Sequence, residues 1–400
     1  MIYKYAHPEW FEGIEEPDLQ SFNGKLIIHG TGGLGALAEY ALRKLGIDCV
    51  CFTDNVFEKQ DTTFIERKVY SPARAYSLYP DAIVLVAGTS IEAIKDSLKL
   101  AGYEKIFDCF TLFKEIDLNG FDYTWTNQQI CRNIDTHLKH LLLVYNKWPK
   151  NKVIPHIGIG LTTKCNLRCK NCSEYIPHIK NPKDFCCNET IRVLKKIAEN
   201  FDINEISICL AEAFLYKQLH VFLEGLSELK NIETIYVVTN GTILPHQELI
   251  EILRNDRRVC VRISNYTNGN TSCKLEKLVD IFEIENIKYE ITNHSFWIEQ
   301  KEMYFQNLTK EELQRKFRNC FNRKLVLLDG KIFLCFYDYL LNELGLCNET
   351  YGIDVKELND IDFVNEVSAL VNTKIAIPAC QYCHKVFREK IKRVPIAEQL

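Results

Sequence analysis

No apolar run in the sequence approaches the roughly 18 residues that a membrane-spanning helix needs. Glycine and proline, at 18 and 11 of 400 residues, are too few for a collagen-like or disordered chain. The first residues, MIYKYAHPEW, lack the basic and apolar regions of a secretory signal. The net charge of −4, from 49 basic and 53 acidic residues, gives no electrostatic reason to expect a nucleic-acid partner. We therefore expect a cytoplasmic, non-membrane protein of two or three domains.

Cysteine, by contrast, is abundant. Seventeen is an odd number, so disulfide bonds alone cannot account for the cysteines. A chain that is not exported is also expected to keep its thiols reduced. Reduced cysteines that cluster along the sequence indicate metal or redox chemistry, and two such clusters are present.

The first section of the chain has the pattern of a nucleotide-binding βαβ unit. An apolar strand is followed by Gly30, Gly32 and Gly35 in G-x-G-x-x-G spacing, then by a helical pattern and a second strand that ends at Asp54. In this pattern the carboxylate of Asp54 would bind a ribose, and the start of the helix would hold a phosphate. The alternative is that the glycines only permit a tight turn and close packing of the helix.

This section resembles the small Rossmann-like domains attached to sugar-modifying enzymes, in which Asp-Asn, here Asp54-Asn55, follows the second strand. We assign residues 1–118 to it, with a nucleotide as its possible ligand. Apolar positions that recur at three and four residues predict a helical connector over 119–152.

The middle section begins with a predicted strand that runs into Cys165, Cys169 and Cys172, in C-x3-C-x2-C spacing. Three thiolates in one loop can hold three corners of a cubane iron–sulfur cluster and leave the fourth iron open to a small molecule. Structural zinc is the alternative, but it requires four ligands and this loop offers three, with no histidine beside them.

The spacing, its place after a strand and the flanking Cys-Asn-Leu-Arg-Cys resemble the radical S-adenosylmethionine (SAM) enzymes. The resemblance implies an open, partial (β/α)6 barrel, here over 153–315, with a SAM-bound [4Fe–4S] cluster at the carboxyl ends of its strands. Alternating strand and helix patterns every 25 to 30 residues agree with stacked βα units.

The same resemblance implies positions for SAM. The family's Gly-Gly-Glu-Pro reads Leu210-Ala211-Glu212-Ala213 here, so Glu212 is retained to accept from an ammonium, whereas each lost glycine adds a Cβ near the ligand. We also predict that Ala211, in the same segment, contacts the cofactor. Asn240 lies in the family's turn after the third strand, and Ser264 and Asn265 lie where the SAM ribose is held. An ordinary turn and an ordinary loop are the alternatives for these last three residues.

Four further cysteines follow. Cys320 and Cys335 flank two apolar runs joined by Asp329-Gly330, which is a strong hairpin signal, and Cys380 and Cys383 form a C-x2-C pair. C-x2-C-H is also the attachment pattern of c-type haem, but haem attachment requires export and leaves Cys320 and Cys335 unexplained. Zinc bound by the four thiolates is the stronger alternative.

Hairpin cysteines before a later C-x2-C pair resemble the shortened auxiliary-cluster, or twitch, form of the SPASM domain in radical SAM enzymes. The resemblance implies a small α+β domain over 316–400 with one auxiliary [4Fe–4S] cluster. The complete prediction is thus an α/β chain in three parts: a Rossmann-like domain, a partial barrel and an auxiliary-cluster domain.

The resemblance implies an oxidoreductase that uses a 5′-deoxyadenosyl radical to take hydrogen from a substrate C–H, with a flavodoxin- or ferredoxin-type electron donor. The Rossmann-like domain favours a carbohydrate or nucleotide-linked sugar as the small-molecule substrate. Dehydrogenation would use the auxiliary cluster as electron acceptor, whereas epimerisation would need a hydrogen donor such as Cys347 or Cys273. The alternatives are a peptide-modifying radical SAM enzyme and a non-catalytic regulator that binds SAM or a nucleotide at a degenerate site.

Overall fold

The computed structural model divides the chain into two compact units, residues 1–147 and 148–400, which we describe separately. Cys273, most of the predicted connector and the basic stretch 385–391 lie outside the described residues. The structure describes residues 11, 14–19, 24–88, 91–125, 138, 142, 153–266, 274–294, 296–300, 303–318, 320, 324–347, 350–373, 375–384 and 392–400.

The first unit is built on a six-stranded sheet in the order β3-β4-β2-β1-β5-β6. All neighbouring strands are parallel except β3 and β4, and the central strand β1 is buried along its whole length, as its unbroken apolar run predicts. The strands are β1 (Leu26–His29), β2 (Cys51–Thr53), β3 (Thr63–Phe64), β4 (Arg67–Tyr70), β5 (Ile83–Val86) and β6 (Ile106–Asp108), and the helices are α1 (Gly33–Lys44), α2 (Pro72–Leu78) and α3 (Ile91–Leu100).

Two of the three motif glycines in this unit are required by packing. Gly30 has φ +118°, and a Cβ there would clash with the carbonyl oxygen of Ala87. A Cβ on Gly35 would clash with the carbonyl oxygen of Gly30, so helix α1 approaches the strand-to-helix turn through Gly35. Gly32 differs from both, because no atom lies within 4 Å of the position its Cβ would take.

Asp54 holds this same turn together. Its carboxylate accepts hydrogen bonds from the Thr31 N–H (3.1 Å), the Thr31 hydroxyl (2.6 Å) and the Val56 N–H (2.9 Å). Burial alone would raise the pKa of Asp54, but these bonds and the Lys59 ammonium hold it below its usual value. The predicted ribose-binding carboxylate is therefore already engaged by protein groups.

The second unit contains an eight-stranded sheet in the order β11-β10-β9-β8-β7-β13-β14-β15. Six neighbouring strands, from β11 to β13 in that order, are parallel. A separate two-stranded sheet is formed by β12 and β16. The strands of this unit are β7 (Val153–Ile159), β8 (Asp202–Ile208), β9 (Ile232–Thr239), β10 (Val259–Asn265), β11 (Tyr289–Asn293), β12 (Trp297–Ile298), β13 (Leu325–Leu328), β14 (Lys331–Phe333), β15 (Ile353–Asp354) and β16 (Arg393–Val394).

Among the described residues of this unit, five helices lie between successive parallel strands along the chain, and two more follow the last parallel strand. No helix among the described residues is long and apolar enough to cross a membrane. The helices are α4 (Cys187–Asn200), α5 (Leu219–Leu226), α6 (Gln247–Asn255), α7 (Leu275–Ile284), α8 (Lys310–Arg318), α9 (Phe336–Glu343) and α10 (Asp360–Asn372).

The predicted hairpin is present, but its place in the fold differs from the expected one. Strands β13 and β14 pair antiparallel around Asp329-Gly330, as the sequence predicts. However, β13 also pairs in parallel with β7, with Leu325 opposite Ile157, so one sheet continues across the predicted domain boundary at residue 315. The apolar pattern of β13 predicts a buried strand and cannot reveal a partner about 170 residues earlier in the chain.

The packing of the glycine turn leads to a first prediction. We expect Gly35→Ala to destabilise the protein by about 1–3 kcal/mol, because the added methyl group overlaps the Gly30 carbonyl. Gly32→Ser is the matched control: it adds a larger side chain into open space at the N-cap of α1 and should be neutral or slightly stabilising. Denaturant unfolding of the two variants measures the difference, and equal stability would contradict the packing role of Gly35.

Candidate functional site

The cysteine triad lies at the carboxyl edge of the parallel sheet. Cys165, Cys169 and Cys172 are on the loop that follows β7, and the loops after β8 and β9 lie beside it. The Glu212 N–H donates to the Lys164 carbonyl (3.1 Å), and the Asn240 amide donates to the Asn166 side chain (3.0 Å). Backbone and side-chain bonds therefore join the cysteine loop to both neighbouring loops, where the sequence predicts a site.

The triad thiols are in a weakly solvated environment. Burial raises the pKa of Cys165 to about 11 and that of Cys172 to about 12, and it also raises the pKa of Cys169. Tyr266, directly after β10, lies close to all three: its pKa is raised to about 12, first by burial and then by these thiols. These thiols are thus protonated at neutral pH, and a metal that bound them would have to displace their protons.

Glu212 connects the loops at the carboxyl edge of the sheet through hydrogen bonds. The side chain is completely buried, and one carboxylate oxygen accepts from the Phe214 N–H (3.1 Å) and the Thr239 hydroxyl (2.7 Å). The other oxygen accepts from the Asn240 N–H (2.7 Å). Burial raises the pKa of Glu212, while the three donors favour its charged form. Both oxygens are therefore engaged with groups at the carboxyl ends of β8 and β9, and the contact of Glu212 with an ammonium stays a prediction.

The two residues that replace glycines adopt the backbone conformation that glycine favours. Leu210 has φ +78° and Ala211 has φ +48°, which is the left-handed region. The Leu210 side chain is buried and, with Leu328, fills the space over Gly160. Burial of the Leu210 side chain therefore offsets the steric cost of its left-handed backbone. Ala211 has only a methyl group to bury, so less of the same cost is offset there.

The other predicted SAM contacts take part in local polar networks. Asn240 points its amide toward Cys165 (Nδ2–Sγ 3.8 Å), and its carbonyl accepts from the Thr242 hydroxyl (2.6 Å). Asn265 donates to the Asn293 side chain across the β10–β11 pair (2.8 Å), and Ser264 is hydrogen-bonded to Tyr266. These polar groups stand at the carboxyl ends of β9 and β10, as predicted.

The four later cysteines line one cavity of about 430 Å³, a volume that includes its open mouth. Cys320 precedes β13, Cys335 is the N-cap of α9, and Cys380 and Cys383 lie in and just after a short 3-10 turn. Burial raises the pKa of Cys335, and it raises that of Cys380 to about 12. Among the described residues, no three His, Cys, Asp or Glu side chains are close enough to hold a single metal ion.

A buried lysine, which sequence reasoning did not single out, faces the same cavity. Lys316 is only 1% exposed and donates to the Gln306 side-chain oxygen (3.2 Å). Burial lowers its pKa, while Cys383, Cys380 and Cys320 act in the opposite direction. Lysine is almost never fully buried unless it is paired, so a cation among four cysteines indicates that this site is built for negative charge.

The two sets of cysteines share one hydrophobic core. Cys165 and Cys172 pack against it, and so do Cys335, Cys347 and Cys380. Two buried aromatic residues of this core, Tyr175 and Tyr337, contact each other edge to face with ring centroids 6.0 Å apart. The candidate hydrogen donor Cys347 follows Leu346, whose carbonyl accepts from the Tyr382 hydroxyl (2.9 Å), so it lies near the Cys380–Cys383 turn.

The parallel strands also carry a polar sheet face that sequence reasoning missed, formed by His156, Glu205, Tyr236, Arg262 and Glu290. His156 and Glu205 are neighbours across β7 and β8 (Nε2–Oε1 3.7 Å). The Arg262 guanidinium lies 3.7 Å from the centroid of the Tyr236 ring and 3.5 Å from Glu290. The alternation of these residues with buried Ile and Val in the sequence could have indicated this face, because half-polar strands are unusual in a parallel sheet.

Comparisons with known proteins identify relatives of part of the chain. No family model matches it. A GTP 3′,8-cyclase of Campylobacter jejuni (strain RM1221) is 26% identical over 163 residues, 40% of this chain and 50% of that protein. A GTP 3′,8-cyclase of Clostridium perfringens (strain SM101 / Type A) is 31% identical over 93 residues, 23% of this chain and 28% of that protein. The chain thus spans half or less of the length of these curated relatives.

Solved structures give weaker similarity. BtrN in complex with AdoMet and 2-DOIA has a TM-score of 0.38 and 15% identity, with 62% of this chain and 97% of that chain covered. Streptococcus suis SuiB bound to S-adenosylmethionine has a TM-score of 0.32 and 16% identity, with 69% and 56% covered. Scores this low carry no argument about function.

The left-handed backbone at the site leads to a second prediction. We expect Ala211→Gly to stabilise the protein by about 1 kcal/mol, because glycine removes the steric cost of a Cβ at positive φ. Ala213→Gly, two residues later and outside the left-handed region, should instead destabilise it by about 1 kcal/mol or slightly more. Denaturant midpoints of the two variants test this pair, and a loss of stability in Ala211→Gly would contradict the strain at that position.

Proposed function

We propose that this chain is a radical SAM enzyme, and specifically an oxidoreductase that removes hydrogen from an unactivated C–H of a small molecule; partial sequence similarity to GTP 3′,8-cyclases supports the proposal. The observation that carries the proposal is the loop of Cys165, Cys169 and Cys172, tied at the carboxyl edge of six parallel strands to the loops of Glu212 and Asn240. Three thiols and adjacent polar groups at that edge fit a [4Fe–4S] cluster with one iron left for SAM.

The bound cluster and SAM would supply a 5′-deoxyadenosyl radical, with methionine as the other product of reductive SAM cleavage. The task of the chain is to hold the substrate C–H against that radical and to exclude other hydrogen donors. Burial of the loops around Glu212 and Asn240 supports this role, because both side chains are less than a tenth exposed. An electron donor of the flavodoxin or ferredoxin type would supply the electron.

We further propose that Cys320, Cys335, Cys380 and Cys383 bind one auxiliary [4Fe–4S] cluster, which would accept the electron left on the substrate radical while a proton is lost. The cavity supports a cluster, since a cubane fills the space between its four ligands. The positive charge of Lys316 also suits a metal–thiolate centre of net negative charge. Zinc with four thiolates carries the same ligand set and is the alternative.

The polar sheet face supports a carbohydrate or nucleotide-linked sugar as the substrate class. Glu205 and Glu290 offer acceptors to hydroxyl groups, and Arg262 offers donors between them. The opposite charges on this face partly offset one another, which suits the neutral polyhydroxylated sugar part of such a substrate better than a peptide of strong charge. Epimerisation of the same substrate class requires a hydrogen donor, for which Cys347 and Cys273 are the candidates.

The proposed chemistry predicts SAM cleavage that depends on the triad. Anaerobically reconstituted protein should produce 5′-deoxyadenosine from SAM and a strong reductant, and Cys169→Ala should reduce the product to background. Cys186→Ala, which removes an exposed cysteine of the same unit, should retain wild-type production. No 5′-deoxyadenosine from the iron-loaded wild type would favour a non-catalytic SAM- or nucleotide-binding regulator instead.

The proposed auxiliary cluster predicts iron that can be lost while the iron bound by the triad is retained. Loaded wild type should hold about eight iron atoms, since two cubane clusters contain four each. Cys380→Ala should lose about four of them and still produce 5′-deoxyadenosine, because the triad lies on a different segment. A wild-type maximum of about four iron atoms with one equivalent of zinc would contradict the auxiliary cluster, and Cys186→Ala is again the control.

A further inference from the structure

The segment Arg393–Leu400 lies along the cysteine loop, far from it in sequence. Strand β16 pairs antiparallel with β12, and beyond it Gln399 forms an isolated antiparallel bridge with Cys169. The Lys170 N–H donates to the Glu398 carbonyl (2.7 Å), and the Leu400 N–H donates to the Arg168 carbonyl (2.8 Å). The backbone on either side of Cys169 is therefore hydrogen-bonded to this segment as neighbouring antiparallel strands are.

The side chain of Gln399 is fixed at both of its polar atoms. Its oxygen accepts from the Arg168 N–H (2.7 Å), and its Nε2 donates to the Ala397 carbonyl (2.6 Å). The same nitrogen lies 3.3 Å from the Cys169 sulfur, to which it donates a hydrogen bond. Because the amide is held from three sides, its N–H remains directed at the sulfur.

An N–H directed at a ligand sulfur has a defined electrostatic effect. A thiolate that binds a cluster gains negative charge when the cluster is reduced, so a hydrogen bond to that sulfur stabilises the reduced state and raises the reduction potential. The effect is largest where water cannot compete, and Cys169 is only 7% exposed. The amide of Asn240 lies farther from a triad sulfur, at 3.8 Å from Cys165, so the contact of Gln399 is the shorter of the two.

We propose that Gln399 is a positioning residue for the triad: it fixes Cys169 through the paired segment and raises the potential at which the SAM-binding cluster accepts its electron. This inference rests on the proposed function, because it requires a cluster on Cys165, Cys169 and Cys172. It identifies a distant segment of the chain as part of the cluster site.

The test is a redox titration of the loaded protein followed by electron paramagnetic resonance, in which the triad signal is recognised by its change on addition of SAM. Gln399→Glu keeps the acceptor for the Arg168 N–H and replaces the N–H donor by oxygen, so we expect a lower midpoint potential. Gln399→Met removes the donor without adding charge and should shift the midpoint in the same direction by less. Glu398→Gln alters the exposed neighbour, whose side chain faces Lys170, and should leave the midpoint unchanged.

The outcomes separate the two proposals. Equal midpoints in wild type and both Gln399 variants, with full iron content, would overturn the role of Gln399 and leave the proposed function intact. Loss of about four iron atoms from both Gln399 variants but not from Glu398→Gln would support the positioning of Cys169. A loaded wild type with no SAM-responsive signal would overturn the proposed function, and this inference with it.

Discussion

The carboxylate of Glu212 is the interaction on which the site depends. A fully buried acid is costly unless donors surround it, and here the donors come from two loops that follow different strands. The N–H of the same residue bonds to Lys164, immediately before the first cysteine of the triad. Three loops at the carboxyl edge are thus fixed relative to one another by one residue, and the positions of Cys165 and Asn240 follow from it.

A second constraint is the hydrophobic core shared by the two sets of cysteines. Because Cys165 and Cys172 contact the same buried cluster as Cys335 and Cys380, the two sets cannot shift independently of one another. The pair Tyr175–Tyr337 spans this core, and the Tyr337 hydroxyl donates to the Ser173 carbonyl in the triad loop (2.8 Å). A rigid core between the two proposed clusters would suit electron transfer, because its rate depends steeply on their separation.

The sequence predicted the parallel strands, the hairpin and the carboxyl-edge location of the triad, because each depends on local periodicity or on a short motif. It did not predict the pairing of β13 with β7 or the contact of Gln399 with Cys169. Neither local periodicity nor a short motif identifies a partner so distant in the chain. Glu212 was identified by its motif, but its bonding partners required coordinates. Lys316 was missed because it lies in a helix of mostly polar residues, and a lysine in such a helix is expected to be exposed.

The burial of Lys316 has a consequence for the lifetime of the protein in a cell. Burial of this ammonium costs folding free energy, and a protonated thiol beside it, such as that of Cys380, contributes no negative charge to offset the cost. Thiolates bound to the proposed auxiliary cluster would supply the opposite charge, so a chain that carried the cluster would be the more stable one. A few kcal/mol is enough to change how often a protein opens to proteases. On this proposal, chains without the cluster would be degraded first, and the abundance of the protein would follow the supply of metal.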